Sequence, residues 1–443
     1  MVSDAQPRRL IGPFDATMLV VGSMIGSGIF IVSAESSRLL GTPGRLLAVW
    51  TVAGLFTMLG AVATAELASM MPEAGGPYVF FREAYGPLFG FLYGWSLVTV
   101  VQTGTIAAVA VAFARFLGVL VPSVTGTAAK LVAVAVIAVL TAANALGLKT
   151  GTRLQNVLTV LKYAMLLSLT VGGVAVFWNR PWASSAPLPN APSGWLLALA
   201  FSSALVGPAF SQSAWTNITF AGAEVRRPER TFPVALLLGC ALVTVLYVAT
   251  NDAYLKALGL EGIARAPFDR VGTAAAERML PGAGATLMAA GILVSTFGCN
   301  NGLVLSGARV LYALAKDGLF FGFAARLNRA GVPGLSLLTQ GVWASLLALS
   351  GTYSQLLKYV VAAELALSVL LVLAVPVLRR KQPDRSRPYR TWGYPVTPVL
   401  YAVLVTCATV LLTIANPATT WPGYLLVASG VPVYFIWRGA RRR

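Results

Sequence analysis

Two short stretches set small and polar residues where a continuous apolar helix would otherwise run. Gly22-Ser23-Met24-Ile25-Gly26-Ser27-Gly28-Ile29-Phe30 carries three glycines and two serines, and Phe210-Ser211-Gln212-Ser213-Ala214-Trp215-Thr216-Asn217 concentrates five polar side chains. Glycine lowers the cost of leaving helical geometry, and unwound backbone inside a bilayer must have its N–H and C=O groups satisfied by protein, water or a ligand. Such a break suits a small zwitterion: N–H groups at a half-helix N-terminus face its carboxylate, and freed carbonyls face its ammonium. Two plainer readings fit the same residues. Gly22 and Gly26, spaced as GxxxG, permit close helix packing, and the second stretch forms a polar helix face buried in a bundle.

Isolated charges in apolar surroundings are the other candidates. Lys162 sits in the middle of an apolar run, where a lysine costs at least about 2.5–3.5 kcal/mol and either faces a polar interior or snorkels to an interface. Glu66, Glu224 and Glu364 occupy comparable settings. Buried carboxylates carry protons or pair with bases; Glu364 is the candidate for proton coupling, and Glu224 is expected to pair with the arginines beside it. Ser295, Thr296 and Asn301 are expected near Lys162, although interhelical hydrogen bonding alone would explain them. Histidine is absent, which removes Ser-His-Asp and Cys-His catalysis and the commonest metal ligand. Cys240, Cys299 and Cys407 lie singly in apolar segments, so neither a disulfide framework nor a CxxC metal site is available, and they read as small buried hydrophobes. No cofactor and no metal is expected.

These residues need a membrane-spanning scaffold, and the composition provides one. The 443-residue chain is 57% hydrophobic and only 11% charged, against about 25% charged in soluble domains. Apolar runs broken by charge, Pro and Gly give about twelve expected spans, roughly 14–33, 46–70, 88–120, 128–147, 157–178, 195–223, 233–255, 284–315, 333–350, 356–378, 396–415 and 421–437. The first is taken as a retained span, since no A-x-A-like cleavage site follows Arg8 and Arg9. Stretches 256–283 and 379–395 read as connectors, with Pro228 and Pro233 bracketing the loop into the seventh span. The net charge is +18. Of the 33 Lys and Arg, 22 fall on the side of the N-terminus, ten on the other, and Lys162 alone in mid-membrane. This positive-inside bias implies that both termini are cytoplasmic, and it explains the charge without nucleic acid as a partner.

At this point the motifs resemble a known family. Gly26-Ser27-Gly28-Ile29-Phe30, Glu66-Leu67 through Pro72-Glu73-Ala74-Gly75-Gly76-Pro77-Tyr78, Gly86-Pro87-Leu88, Glu224-Val225-Arg226-Arg227-Pro228-Glu229-Arg230-Thr231-Phe232-Pro233, and Asn301-Gly302 leading to Ser306-Gly307-Ala308-Arg309 resemble the L-type branch of the amino acid–polyamine–organocation superfamily. The resemblance runs from about residue 10 to 435. It implies an all-α polytopic membrane protein with a five-plus-five inverted repeat, residues 14–178 and 195–378, plus two additional helices over 396–437, all in one transmembrane domain spanning 1–443. The implied activity is sodium-independent exchange of neutral L-amino acids in the cell inner membrane, with the lipid bilayer and an amino acid as partners and no enzymatic step.

By the same resemblance, Gly26, Ser27 and Gly28 receive the substrate carboxylate. Carbonyls of Met24 or Ile25, with those of Phe210 and Ser213, receive the ammonium; Trp215 and Thr216 complete the pocket, and Phe210 gates it. Lys162 matches the lysine that takes the place of a bound sodium ion. The sequence departs from the family at Ser213-Ala214-Trp215, where relatives carry a glycine before the tryptophan, so the break forms less easily and Gln212 or Ser213 alters the pocket size. Val119 to Ala129 contains no cysteine, so no disulfide-linked heavy chain is expected; a monomer is compatible with the sequence. The competing readings are a proton-coupled amino acid or polyamine transporter of a neighbouring branch, and an amino acid sensor without transport.

Overall fold

The computed structural model describes residues 9, 11–73, 75–146, 149–177, 182, 187–189, 191–220, 222–328 and 331–440, and among these every regular element is helical. Of the residues used above, Arg8, Ala74, Arg180, Arg329, Arg441, Arg442 and Arg443 lie outside the described set, as do the side chains of Lys149 and Arg153.

The first span is two helices, α1 (Pro13–Met24) and α2 (Ser33–Leu40), with a 3-10 turn at Gly28–Phe30 between them. α1 starts on Pro13, whose missing N–H is no loss in a first turn, and Asp15 accepts from the Gly12 N–H at 3.2 Å. α3 (Pro43–Met70) crosses back, followed by the short α4 (Pro77–Tyr85). α5 (Pro87–Ser96) and α6 (Gln102–Leu120) form one rod joined through a π-helical turn at Leu97–Val101. α7 (Gly126–Ala145) and α8 (Lys149–Phe177) complete the first half. The second half opens on α9 (Gly194–Ser211) and the four-residue α10 (Asn217–Phe220), again a broken pair. There follow α11 (Pro228–Ala264), α12 (Val271–Met279), α13 (Gly284–Lys316), α14 (Gly334–Ser350) and α15 (Tyr353–Lys381). α16 (Val396–Ala415), α17 (Pro417–Ala428) and α18 (Gly430–Ala440) end the chain. Among the described residues, eight helices are long and apolar enough to cross a membrane; taken with the broken and shorter ones, they are consistent with about twelve spans.

Several expectations need correction. Pro228 and Pro233 do not bracket a loop: both lie inside α11, Pro228 at its first position and Pro233 close behind, where few backbone donors are needed. α11 also runs beyond residue 255 to Ala264, kinked at Gly259 with φ +68°, and α12 occupies part of the expected 256–283 connector. The last span is divided at Ser429 between α17 and α18. Cys407 is exposed rather than buried, because α16 packs against α15, α9 and α3 on one side and turns its other face outward. That outward surface is apolar, as at Leu55, Val139, Leu161, Val245, Leu287 and Val403, which suits lipid. Glu224 makes no ion pair among the described residues; its backbone carbonyl instead accepts from the Ile11 N–H at 3.0 Å.

α1, α3 and α11 form the packed centre, brought close by small residues: Gly54 lies against Thr244, and Gly239 against Val20. One charge is buried at the rim of this core. Glu66, 1% exposed near the end of α3, takes both Arg379 nitrogens at 2.9 and 2.7 Å and the Thr391 N–H at 2.6 Å, with Arg387 at 3.6 Å. Arg379 also covers the Tyr394 ring at 3.8 Å. The bidentate pair ties α3 to α15 and the connector after it, so this carboxylate is spoken for structurally. Removing the partner should cost far more than removing the pair: Arg379→Ala is expected to destabilise by about 3 kcal/mol, read as a lower unfolding midpoint in detergent. The double variant Glu66→Gln/Arg379→Met should recover most of that loss, and a double variant as unstable as the single would contradict this reading.

Candidate functional site

Helix ends inside a bundle leave carbonyls without partners, and the end of α1 shows where its last ones go. The Val21 carbonyl keeps the Ile25 N–H at 3.0 Å, the Lys162 ammonium donates to the Gly22 carbonyl, and the Tyr247 hydroxyl donates to the Met24 carbonyl at 3.0 Å. Lys162, only 2% exposed, sits in α8, whose next residue, Tyr163, donates to the Met18 carbonyl at 3.1 Å. A cation at this position also answers the negative end of the α1 dipole. Ile25 itself is extended (φ −75°, ψ 99°), the chain passes Cys299 of α13 at Gly26, and Ser27, back in helical geometry before the 3-10 turn, shares a hydrogen bond of 3.3 Å with the Tyr353 hydroxyl of α15. Among the described residues, nothing accepts from the Ser27 and Gly28 N–H groups and nothing donates to the Ile25 carbonyl. The Gly26 carbonyl is likewise without a donor there, so among the described residues the break Ile25–Gly28 holds two free N–H groups and two free carbonyls.

The second break is built by different means. Pro208 inside α9 cannot donate to Ala204, and Ser36 of α2 takes that carbonyl at 3.1 Å. After Ser211 the chain turns: the Ser213 N–H and hydroxyl both donate to the Phe210 carbonyl at 3.2 and 2.9 Å, and Ala214 adopts φ +65°. A left-handed alanine costs roughly 1–2 kcal/mol. Surrounding hydrogen bonds offset this: Gln212 donates to the Trp50 carbonyl at 3.1 Å and accepts from Thr244 at 2.9 Å, locking the turn to α3 and α11. The two breaks touch at Gly28, where a Cβ would come 1.9 Å from the Ser211 Oγ and 2.8 Å from its Cβ. Only glycine fits that approach.

A cavity of about 110 Å³ lies beside the second break, lined by residues of α3, α5, α6, α9, α10, α15 and α16. It brings together Ser213, Trp215, Thr216 and Glu364 of the expected residues, with Asn217, Gln102 and Tyr93. Gln212 and Ser213 both line it. Met24, Ile25, Gly26, Ser27 and Gly28 do not line it, and Phe210 is buried outside it. Between α2, α6, α9 and α15, a smaller cavity of about 30 Å³ sits under an ionic cluster. There Asp269 holds Arg38 at 2.8 Å and Arg115 at 3.5 Å, and Glu35 holds Ser354 at 2.7 Å and Lys358 at 3.4 Å.

Sequence reasoning missed Tyr247, Tyr353 and Cys299, each of which touches the first break. A tyrosine inside the apolar α11 was the one available signal. Asn301 was expected near Lys162, yet it accepts from Asn144 of α7 at 2.8 Å: two residues on from Cys299, it points to the other side of α13. Thr296 donates to its own helix, and Ser295 is buried with no hydrogen-bond partner among the described residues.

An all-helical polytopic bundle in which the first and sixth spans are both broken, with the breaks in contact, defines a membrane transporter rather than an enzyme. The model of the amino acid permease family matches residues 11–436, and the chain belongs to that family, within the amino acid–polyamine–organocation superfamily. It is 30% identical to Asc-type amino acid transporter 1 of Mus musculus, over 97% of this chain and 82% of the relative. It is 27% identical to the serine/threonine exchanger SteT of Bacillus subtilis (97% and 96%) and 27% identical to the human cystine/glutamate transporter (98% and 86%). The protein is a multi-pass amino acid transporter.

The contact between the breaks yields a test. Gly28→Ala should reduce amino acid uptake at least about tenfold at equal protein level, a loss of about 1.4 kcal/mol, and Gly28→Ala/Ser211→Gly should restore part of it. A Gly28→Ala protein with normal uptake would show that the breaks are not held this close during transport.

Proposed function

We propose that the protein exchanges neutral L-amino acids across the cytoplasmic membrane by sodium-independent alternating access. The single observation that supports this most strongly is the state of the first break: two N–H groups without acceptors and two carbonyls without donors among the described residues, and a lysine ammonium already on the Gly22 carbonyl. In this reading the substrate carboxylate is received by the Ser27 and Gly28 N–H groups with Gly26 and the Ser27 hydroxyl, and the ammonium by the Ile25 carbonyl. The Met24 carbonyl is less available, because Tyr247 occupies it. From the second break the Ser213 carbonyl faces the ammonium, while the Phe210 carbonyl, which already accepts from the Ser213 N–H and hydroxyl, is less available; Trp215 and Thr216 bound the side chain, and Phe210 moves as the gate. Lys162 supplies the positive charge that a bound sodium ion would otherwise bring.

Neutral side chains are favoured since neither broken segment contains a carboxylate, and a serine/threonine exchanger is among the relatives. We read residues 14–178 and 195–378 as the inverted repeats that rock against each other, and 396–437 as additions. From the basic residues, both termini are read as cytoplasmic in an inner membrane. No disulfide-linked partner is proposed.

The test is exchange in sodium-free proteoliposomes. Labelled L-serine should enter vesicles preloaded with unlabelled L-serine about tenfold faster than empty ones, as expected when only the loaded carrier reorients readily. Equal uptake into empty vesicles, or a requirement for sodium, would refute the proposed mode; competition by arginine but not by alanine, serine or leucine would refute the substrate class.

A further inference from the structure

The cavity beside the second break contains a carboxyl that the substrate site does not use. Glu364 lies near the middle of α15 and lines that cavity, yet it forms no ion pair or hydrogen bond among the described residues. No lysine or arginine lines the cavity with it. The titratable groups close enough to feel its charge are Tyr93 from α5 and Tyr401 from α16. The other helices packed on α15 bring no counter-ion either. α9, α16 and α17 contain no charged residue. Glu66 of α3 is held by Arg379, Arg82 and Glu83 of α4 pair with each other and with Asp317 and Arg385, and Arg115 of α6 pairs with Asp269 at the opposite end. On α15 itself, Lys358 is held by Glu35, and Lys381 donates to the Ala84 carbonyl.

A carboxylate enclosed at membrane depth without a counter-ion needs either a bound cation or a proton. A hard metal cation would want about six oxygen ligands. The cavity is predominantly apolar, and no second carboxylate joins Glu364 in its lining, so it is poorly made for a metal and well made for a neutral acid that the hydroxyls and amides of the lining and a few waters can solvate. Glu66 shows the contrast: the same residue type, more deeply buried than the half-buried Glu364, is surrounded by two arginines and a backbone N–H and is made to stay charged.

We propose that Glu364 is a proton-binding site and that only its protonated, uncharged form passes through the closed stage of the transport cycle. The proton comes from water entering the cavity when it is open and returns to water when the cavity next opens; no bond other than the carboxyl O–H is made or broken. The inference rests on the alternating-access reading above and adds to it a proton requirement.

Self-exchange of labelled L-serine in proteoliposomes, with equal pH on both sides from about 8.5 down to about 5.5, tests this. The wild type should speed up at least about fivefold toward acid along a single titration. Glu364→Gln, a permanent stand-in for the protonated acid, should exchange with a flat profile near the acid-limb rate, and Glu364→Asp should keep a titration with a displaced midpoint. A flat wild-type profile, or the same titration persisting in Glu364→Gln, would overturn the proposal. Should Glu364→Gln fail to fold, Glu364→Asp decides: an undisplaced midpoint overturns it. Absence of L-serine exchange at every pH would count against the transport reading itself, so the two failures are distinguishable.

Discussion

A helix that stops in the middle of a bilayer leaves carbonyls where water cannot reach them, and the centre of this protein is arranged around that constraint. α1 ends at Met24, and two of its last carbonyls find side-chain donors: Lys162 at Gly22 and Tyr247 at Met24. Without those donors, continuing the helix through Gly26 and Gly28 would be the lower-energy course. With them, the non-helical link at Ile25 and Gly26 and the turn that follows can present free backbone groups in a buried place. Lys162 matters twice over, because its ammonium both satisfies a carbonyl and places positive charge at the negative end of a helix dipole.

The second break depends on the first. Gly28 has no side chain to hold Ser211 away, so the two interrupted helices meet without a gap, and Ser36 of α2 accommodates the carbonyl that Pro208 frees in α9. The half-helices are thereby cross-braced: α2 to α9 by Ser36, and α9 to α3 and α11 by Gln212. This bracing explains how Ala214 tolerates a left-handed backbone. Motion of one broken helix must be felt by the other.

Most of the scaffold was legible in the sequence, for a physical reason: lipid forces continuous apolar runs, so interruptions stand out. The glycines and serines of 22–28, the polar cluster of 211–217 and the solitary Lys162 were each visible as violations of that rule. Helix ends outside the membrane were less legible, because prolines such as Pro228 and Pro233 serve equally well in a first turn or a loop. Individual contacts were not legible. Tyr247, Tyr353 and Cys299 look like core residues in one dimension, and only the packing of α11, α15 and α13 against α1 reveals what they touch. Asn301 shows what helical rotation hides: two positions along a helix is just over half a turn, which turns it from the side of Cys299 toward Asn144 of α7. The left-handed Ala214 could not be read at all, since its conformation is imposed by neighbours.

The central claim is that the Lys162 ammonium on the Gly22 carbonyl replaces an external cation in shaping the broken helix. It is tested most directly by equilibrium binding of labelled L-serine to purified wild-type and Lys162→Met protein, each without sodium and at about 150 mM sodium. The account predicts that wild type binds equally well in both buffers and that Lys162→Met loses at least about tenfold in affinity, about 1.4 kcal/mol, while remaining folded. Sodium-dependent binding by the wild type, or undiminished binding by Lys162→Met in sodium-free buffer, would contradict it.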